Sequence, residues 1–340
     1  MRTNTVGVGL LSAMALVVGL GSVSVATADT SPDDRAGVLV RWEGHDRYQV
    51  SARVSNQYPV GIARIFVASG EVFTDALSGA PIAARQSAPI LLTRSASLPK
   101  TVRDAIVRLK PGSIVVLGGP ASVSPEVYAE LATLTTGSVS RWSGPDRYSA
   151  SAAMSAATFA PGPNRVFVAS GLTFPDALSG APAAGAQGGP VLLTRPDWLP
   201  STIGTELQRL RANEVIVLGG SATVGTGVEG QLGTYAGAVT RWSGSDRFAT
   251  SAAISKAAFP NGADAVFISS GRVFPDALSA APIAGMKKAP LLLLDTNSIP
   301  AVIDAELRRL NPNSITVVGG RATVTDEVFG VLSDYLRSAD

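Results

Sequence analysis

Arg41-Trp42-Glu43-Gly44-His45-Asp46-Arg47-Tyr48 returns as Arg141-Trp142-Ser143-Gly144-Pro145-Asp146-Arg147-Tyr148, and again as Arg241-Trp242-Ser243-Gly244-Ser245-Asp246-Arg247-Phe248. Other stretches keep the period of about 100 residues. Phe73-Thr74-Asp75-Ala76-Leu77-Ser78 recurs at 174–179 and 274–279. Pro89-Ile90-Leu91-Leu92-Thr93 recurs at 190–194 and, altered, at 290–294. Val116-Leu117-Gly118-Gly119 recurs at 217–220 and 317–320. A fixed period of this kind marks an array of structural units. The expected units are residues 38–137, 138–237 and 238–340.

Within a unit, short apolar runs alternate with amphipathic stretches. In the first, Val38–Trp42, Arg64–Ala68, Pro89–Thr93 and Ser113–Leu117 read as strands. Tyr48–Tyr58 and the Ala-rich Ala76–Gln86 read as helices, and a third opens at Leu98-Pro99, with Val102, Ile106 and Leu109 at helical spacing. Ser124-Pro125-Glu126 supplies a cap residue, a first-turn Pro and an early acid. Near-continuous apolar strands separated by helices predict a parallel sheet covered on both faces. The expected fold class is α/β: three tandem Rossmann- or flavodoxin-like modules.

Composition agrees. Of 340 residues, 46% are hydrophobic and 16% charged, against about 25% charged in typical soluble domains. That excludes disorder. A formal charge of +2 argues against nucleic-acid binding. The 28 basic residues comprise 23 Arg and five Lys, and Arg is the better bidentate partner for phosphate and carboxylate. With no Cys and one His, His45, disulfides, thiolate nucleophiles and multi-His metal sites are excluded.

Residues 1–28 hold one basic residue, Arg2, and no acid. An apolar stretch from Val6 to Val25 ends in Ala26-Thr27-Ala28 before Asp29. This reads as a signal peptide cleaved between Ala28 and Asp29, giving a secreted chain without a stable membrane anchor. The mature chain carries 27 basic and 26 acidic residues, and the three units account for nearly all of it.

Four recurring motifs follow strands, at the edge where parallel sheets bind ligands. They are Gly44-x-Asp46-Arg47, Ser69-Gly70-x-x-Phe73-x-Asp75, Thr93-Arg94 and Gly118-Gly119. Asp46 and Asp75 precede helices, and capping accounts for them. The arginines admit two readings: pairing with those carboxylates to hold loops together, or contact with an anionic ligand. The candidate contacts are Arg41, Arg47, Asp75, Thr93 and Arg94 in the first unit; Arg141, Arg147, Asp176, Thr194 and Arg195 in the second; and Arg241, Arg247 and Asp276 in the third. Trp42, Trp142 and Trp242, with Phe73, Phe174 and Phe274, read as core or inter-module contacts. Trp198 has no counterpart and reads as incidental. His45 aligns with Pro145 and Ser245, outside the repeated design. No G-x-S-x-G, P-loop or G-x-G-x-x-G motif accompanies these residues, so no catalytic residue, metal or cofactor is implied. Leu98-Pro99-Lys100-Thr101 and Leu199-Pro200-Ser201-Thr202 resemble sortase signals, but both open amphipathic helices in mid-chain.

The combination R-W-x-G-x-D-R-[YF], F-[PT]-D-A-L-S, P-[IV]-L-L-T-R and V-x-G-G followed by Ala-x-Val, as at Ala121-Ser122-Val123, resembles the cell wall binding repeat 2 modules of Gram-positive bacteria over about residues 38–340. The resemblance implies three modules around a pseudo-threefold axis. It also implies non-covalent attachment to an anionic, teichoic-acid-like wall polymer. The function expected is a secreted, wall-associated, non-catalytic binding protein. The alternative is a surface-layer or protein-interaction module that recruits or modulates a wall hydrolase. The third unit departs from the pattern: Leu294-Asp295 stands where the others have Thr93-Arg94 and Thr194-Arg195.

Overall fold

The computed structural model describes residues 37–338, together with Met1; the expected signal peptide and its Ala28–Asp29 junction lie outside them. Repeat 1 supplies β1 (Val38–Trp42), α1 (Arg47–Ser55), β2 (Ile65–Ser69), α2 (Thr74–Arg85), β3 (Ile90–Thr93), α3 (Lys100–Leu109), β4 (Ser113–Leu117) and α4 (Pro125–Ala132). Repeat 2 supplies β5 (Ser138–Trp142), α5 (Arg147–Ala156), β6 (Arg165–Ser170), α6 (Pro175–Gln187), β7 (Val191–Thr194), α7 (Ser201–Leu210), β8 (Glu214–Leu218) and α8 (Thr226–Leu232). Repeat 3 supplies β9 (Ala238–Trp242), α9 (Arg247–Ala258), β10 (Ala265–Ser270), α10 (Pro275–Met286), β11 (Leu291–Leu294), α11 (Ala301–Leu310), β12 (Ser314–Val318) and α12 (Asp326–Val331).

The strands form three four-stranded parallel sheets, ordered β3-β2-β4-β5, β7-β6-β8-β9 and β1-β12-β10-β11. The central strands read IFVAS and SIVVL in repeat 1 and are buried almost throughout. This is the α/β, doubly covered pattern that their apolar runs predict.

The sheets are offset from the repeats by one strand. β5 opens repeat 2 yet completes the sheet of repeat 1, pairing with β4 from Ser113↔Ser138 to Leu117↔Trp142. β9 likewise completes the second sheet. β1 closes the circle, pairing with β12 from Val38↔Ser314 to Trp42↔Val318. The Trp at the end of each exchanged strand is the anchor. Trp142 packs on Phe66, Trp242 on Phe167 and Trp42 on Phe267, each with ring centroids 5.7 Å apart. At the sheet edge β1 is only partly covered: Val38 and Val40 are exposed and Leu39 and Arg41 half-buried, and Trp42, on the same face as the two valines, is buried where the strand ends against Phe267.

α2, α6 and α10 pack against one another in pairs around a pseudo-threefold axis. At their N-terminal ends Phe73, Phe174 and Phe274 form a triangle, with centroids 5.6 to 6.2 Å apart. At the other end Ala84 meets Gly185 and Gly285. A Cβ on Gly185 would stand 2.8 Å from Ala84 Cβ, so the axis has room for one methyl group there.

The two ends of the described ring meet. Gly37 lies against Leu336, whose Cβ would be 2.6 Å from a Cβ at 37. Val38 N–H donates to Asn313 O and Arg337 N–H to Pro312 O, both at 2.9 Å. This junction is at the start of β1 and β12, the sheet edge opposite the loops that follow the strands. Among the described residues no helix is long and apolar enough to cross a membrane.

Candidate functional site

In the order β3-β2-β4-β5 the chain leaves β2 toward β3, while β4 lies on β2's other side. The loops after β2 and β4 therefore diverge, and the crevice between them is where such sheets bind ligands. The second and third sheets repeat this arrangement.

Asp75 borders that crevice. It does not cap α2, as its place before the Ala-rich segment suggested. Phe73 occupies the cap position without a side-chain cap bond, and Asp75 lies inside the first turn. Its buried carboxylate instead accepts from Ser122 Oγ at 3.0 Å. Asp176 accepts from Thr223 Oγ1 at 3.0 Å. The glycine after β4 makes room for this approach: Gly118 has φ +98°, and a Cβ there would overlap Asp75 Oδ2. Asp46, Asp146 and Asp246 do cap helices. Asp46 accepts from the Tyr48 and Gln49 amides, Asp146 from that of Ser149, and Asp246 from those of Phe248 and Ala249.

The wall of each crevice is completed by the following repeat. Leu172, Asp176, Gly220 and Thr223 of repeat 2 share a cleft of about 390 Å³ with Asp246 and Arg247 of repeat 3. Asp276 and Thr323 of repeat 3 share one of about 330 Å³ with His45, Asp46 and Arg47 of repeat 1. Around Asp75 the same parts recur, with Ser122 bonded to it and Arg147 within electrostatic reach. The Arg47-type and Asp75-type residues are thus brought together, but always from different repeats.

Burial raises the Asp75 carboxyl above its ordinary value, opposed by the Ser122 bond and the Arg147 charge. Burial raises Asp176 likewise, against Thr223 and Arg247. Asp276 is pushed up to about 6 by burial, with Arg47 opposing and Asp46 adding to the rise. It lacks the hydroxyl bond of its copies: Thr323 Oγ1 bonds Gly320 O, whereas Thr223 Oγ1 lies 3.0 Å from both Gly220 O and the Asp176 carboxylate. Carboxylates held where ionisation is costly, beside a cation and in a crevice, are a recurrent mark of functional sites.

The other candidate arginines divide sharply. Arg41, Arg141 and Arg241 are committed to the loop after the neighbouring strand. Arg141 donates to Gly118 O at 2.7 Å and Val123 O at 2.9 Å. Arg241 donates to Gly219 O, Val224 O and Glu229. Arg41 donates to Val324 O at 2.7 Å, lies within 3.4 Å of Asp326 and stacks on Phe329. They pair with carbonyls, not with the recurring Asp46- or Asp75-type carboxylates, and hold the Gly-Gly loops in place. Arg47, Arg147 and Arg247 each donate to a single carbonyl, those of Gly70, Gly171 and Gly271, and Arg47 and Arg247 line the clefts.

Arg94 lies over the ring of Tyr48, within reach of its hydroxyl; Arg195 lies over the ring of Trp198 and donates no hydrogen bond among the described residues. Thr93 and Thr194 are buried and close their own loops, Thr93 onto Arg94 O and Ser97 O, Thr194 onto Trp198 O. Asp295, the departure in the third unit, pairs with Arg272 at 2.7 Å. The acid at that position is therefore neutralised. The hydroxyls at 122, 223 and 323 were overlooked as site residues, although Ser or Thr recurs at that place in every Ala-x-Val segment.

The family model described as Cell wall binding domain 2 (CWB2) matches residues 41–128, 141–229 and 241–329. Among curated proteins, the amidase enhancer of Bacillus subtilis (strain 168) is 30% identical over 309 residues, 90% of this chain and 42% of that protein. The N-acetylmuramoyl-L-alanine amidase LytC of the same strain is 24% identical over 312 residues, 92% of this chain and 60% of that protein. The chain thus spans about half the length of these relatives. Among solved structures, Cwp6 from Clostridium difficile superimposes with a TM-score of 0.83 at 23% identity, covering 94% of this chain and 51% of that one. Cwp8 from the same organism gives 0.77 at 24% identity, covering 87% and 52%. Those two likenesses show the fold.

Proposed function

Since this chain belongs to the Cell wall binding domain 2 family, we propose that it is a secreted, non-catalytic protein that holds an anionic wall glycopolymer non-covalently in the clefts between its repeats. One observation carries the reading: each Arg47-type guanidinium stands beside the Asp75-type carboxylate of the preceding repeat, in triplicate, along one edge of a ring. The arginine would take a phosphate or carboxylate of the polymer. The carboxylate and the Ser/Thr hydroxyl beside it would take sugar hydroxyls. Hydrogen bonds to charged groups contribute about 1.5–3 kcal/mol net each. Several clefts on one scaffold could engage a repeating polymer together, with avidity gains of roughly 10²–10⁴.

The test is co-sedimentation of the purified chain with isolated wall sacculi, before and after acid stripping of phosphate-linked polymers, at low and high salt. Binding lost on stripping and weakened by salt supports the reading. Combining Arg47→Ala with Arg147→Ala should weaken binding while circular dichroism stays unchanged. A folded double mutant that binds as well as the parent would make these arginines structural. A second reading, recruitment or modulation of a wall hydrolase, is favoured by the names of the two Bacillus relatives. Capture of such an enzyme in the absence of walls would support it.

A further inference from the structure

We propose that Arg195 and Trp198, in the loop after β7, form a subsite for an anionic sugar residue that the other two repeats lack. The inference rests on the wall-glycan reading above and names a contact within it. Trp42 and Trp242 are buried, but Trp198 is 47% exposed. The Arg195 guanidinium carbon lies 5.4 Å from its ring centroid. Arg195 donates no hydrogen bond among the described residues. Its Nε is buried without a partner, and its nearest acid, Asp197, is 3.6 Å away and 71% exposed. An ion pair so open to water holds the guanidinium weakly.

Comparison among the repeats shows two changes that bear on the pair, beside Pro196 and Asp197, which replace Ser95-Ala96 and Thr296-Asn297. Where repeat 2 has Trp198, the others have Ser97 and Ser298; where it has Leu172, they have Glu71 and Arg272. In repeat 3, Arg272 and Asp295 neutralise each other. In repeat 1, Glu71 accepts from Ser95 Oγ at 2.9 Å and stands 3.5 Å from the Tyr48 hydroxyl, over whose ring Arg94 lies. Repeat 2 has no acid at position 172; its only acid at the loop is the exposed Asp197. Leu172, 48% exposed, lines the cleft shared with repeat 3.

The loop is held from behind. Gly225 N–H donates to Pro196 O at 2.8 Å, and Thr194 Oγ1 lies 3.5 Å from Trp198 O. A held loop therefore presents an exposed aromatic face and a weakly paired guanidinium on the strand-end edge that also carries the clefts. Sugar rings stack their C–H faces on indoles, and a guanidinium takes the phosphate or carboxylate that such a ring bears.

Two measurements test this. In co-sedimentation with walls, Trp198→Ser, which installs the residue of the sister repeats, should raise the half-saturating concentration by up to about tenfold, the upper end for one aromatic face contact. Arg195→Gln should weaken binding and flatten its salt dependence. In solution, glucose 6-phosphate and glucuronate should each alter the tryptophan emission of the parent protein, and glucose much less. Trp198→Ser should abolish the response, and the stronger of the two acids identifies the anion. If Trp198→Ser binds walls as the parent does and the sugar acids leave emission unchanged, the subsite is overturned while the wall reading stands. If the parent ignores walls but its Trp198 emission responds, the subsite stands and the wall reading falls.

Discussion

Trp42 belongs to repeat 1 by sequence and to the core of the third sheet by structure. Replacing it with Ala should therefore unfold the wrong end of the molecule, as judged from the repeats. The side chain is 6% exposed and packs edge-on against Phe267. Truncating a buried Trp typically costs about 3–5 kcal/mol. At about 1.4 kcal/mol per tenfold, that corresponds to a roughly 10²- to 4 × 10³-fold rise in the population of the opened state. Hydrogen exchange read by mass spectrometry should show protection falling by this factor in peptides spanning β10–β12 and α9–α11. Peptides from β2–β4 should be little affected. Trp142→Ala, whose ring sits on Phe66, should produce the converse map, with the loss centred on residues 65–117. A Trp42→Ala map in which residues 47–117 lose protection and residues 265–318 keep it would refute the strand exchange.

Three further outcomes follow from the site. Gly118→Ala must accommodate φ +98° and a methyl group on Asp75 Oδ2; it should destabilise by at least about 1–2 kcal/mol in urea titrations, and an unchanged midpoint would mean that Asp75 moves aside freely. Asp276 has a folded pKa of about 6, above the ordinary 3.8, so its ionised form opposes folding. The protein should gain stability as pH falls from above 6 toward 4; because Asp75 and Asp176 are raised as well, Asp276→Asn should reduce that slope rather than abolish it, and raise stability at pH 8 by at most about 3 kcal/mol; parallel pH profiles for the two proteins would contradict this. Ala105 stands where repeats 2 and 3 have Glu206 and Glu306, which pair with Arg209 and Arg309 at 2.6 Å. Arg108 Nε is correspondingly buried without a partner, so Ala105→Glu should stabilise repeat 1 by about 1–2 kcal/mol, seen as a higher melting temperature; a lower one would show that the space has closed.

Much of the fold was legible because its signals are local. The apolar run at Ser113–Leu117 gave that strand its observed limits, and Ser124-Pro125-Glu126 placed the start of α4. Asp46 capped its helix as its position implied. The destination of β1 was not legible. Val-Leu-Val-Arg-Trp carries the same propensity whichever sheet it joins, and only the fit of Trp42 against Phe267 from another repeat decides. Asp75 misled for a related reason. A carboxylate at a helix start satisfies the local rule for a cap, while the hydroxyl that actually binds it comes from 47 residues away. For the Arg41 set the sequence leaves open a pairing with the recurring acids or an anionic ligand; three-dimensional proximity gives them the carbonyls of the Gly-Gly loops, and Arg41 and Arg241 the non-recurring acids Asp326 and Glu229 as well.

The junction of Gly37 and Leu336 has a mechanical meaning. The clefts lie at the ends of the strands, and the chain enters β1 at the strand's beginning. Tension between a polymer gripped in the clefts and a body tethered through residue 37 would run along β1. The five residue pairs joining β1 to β12 would then be loaded together in shear, whereas a perpendicular pull would peel them one at a time. Under such a pull, the strand that closes the ring would be the member that bears the load.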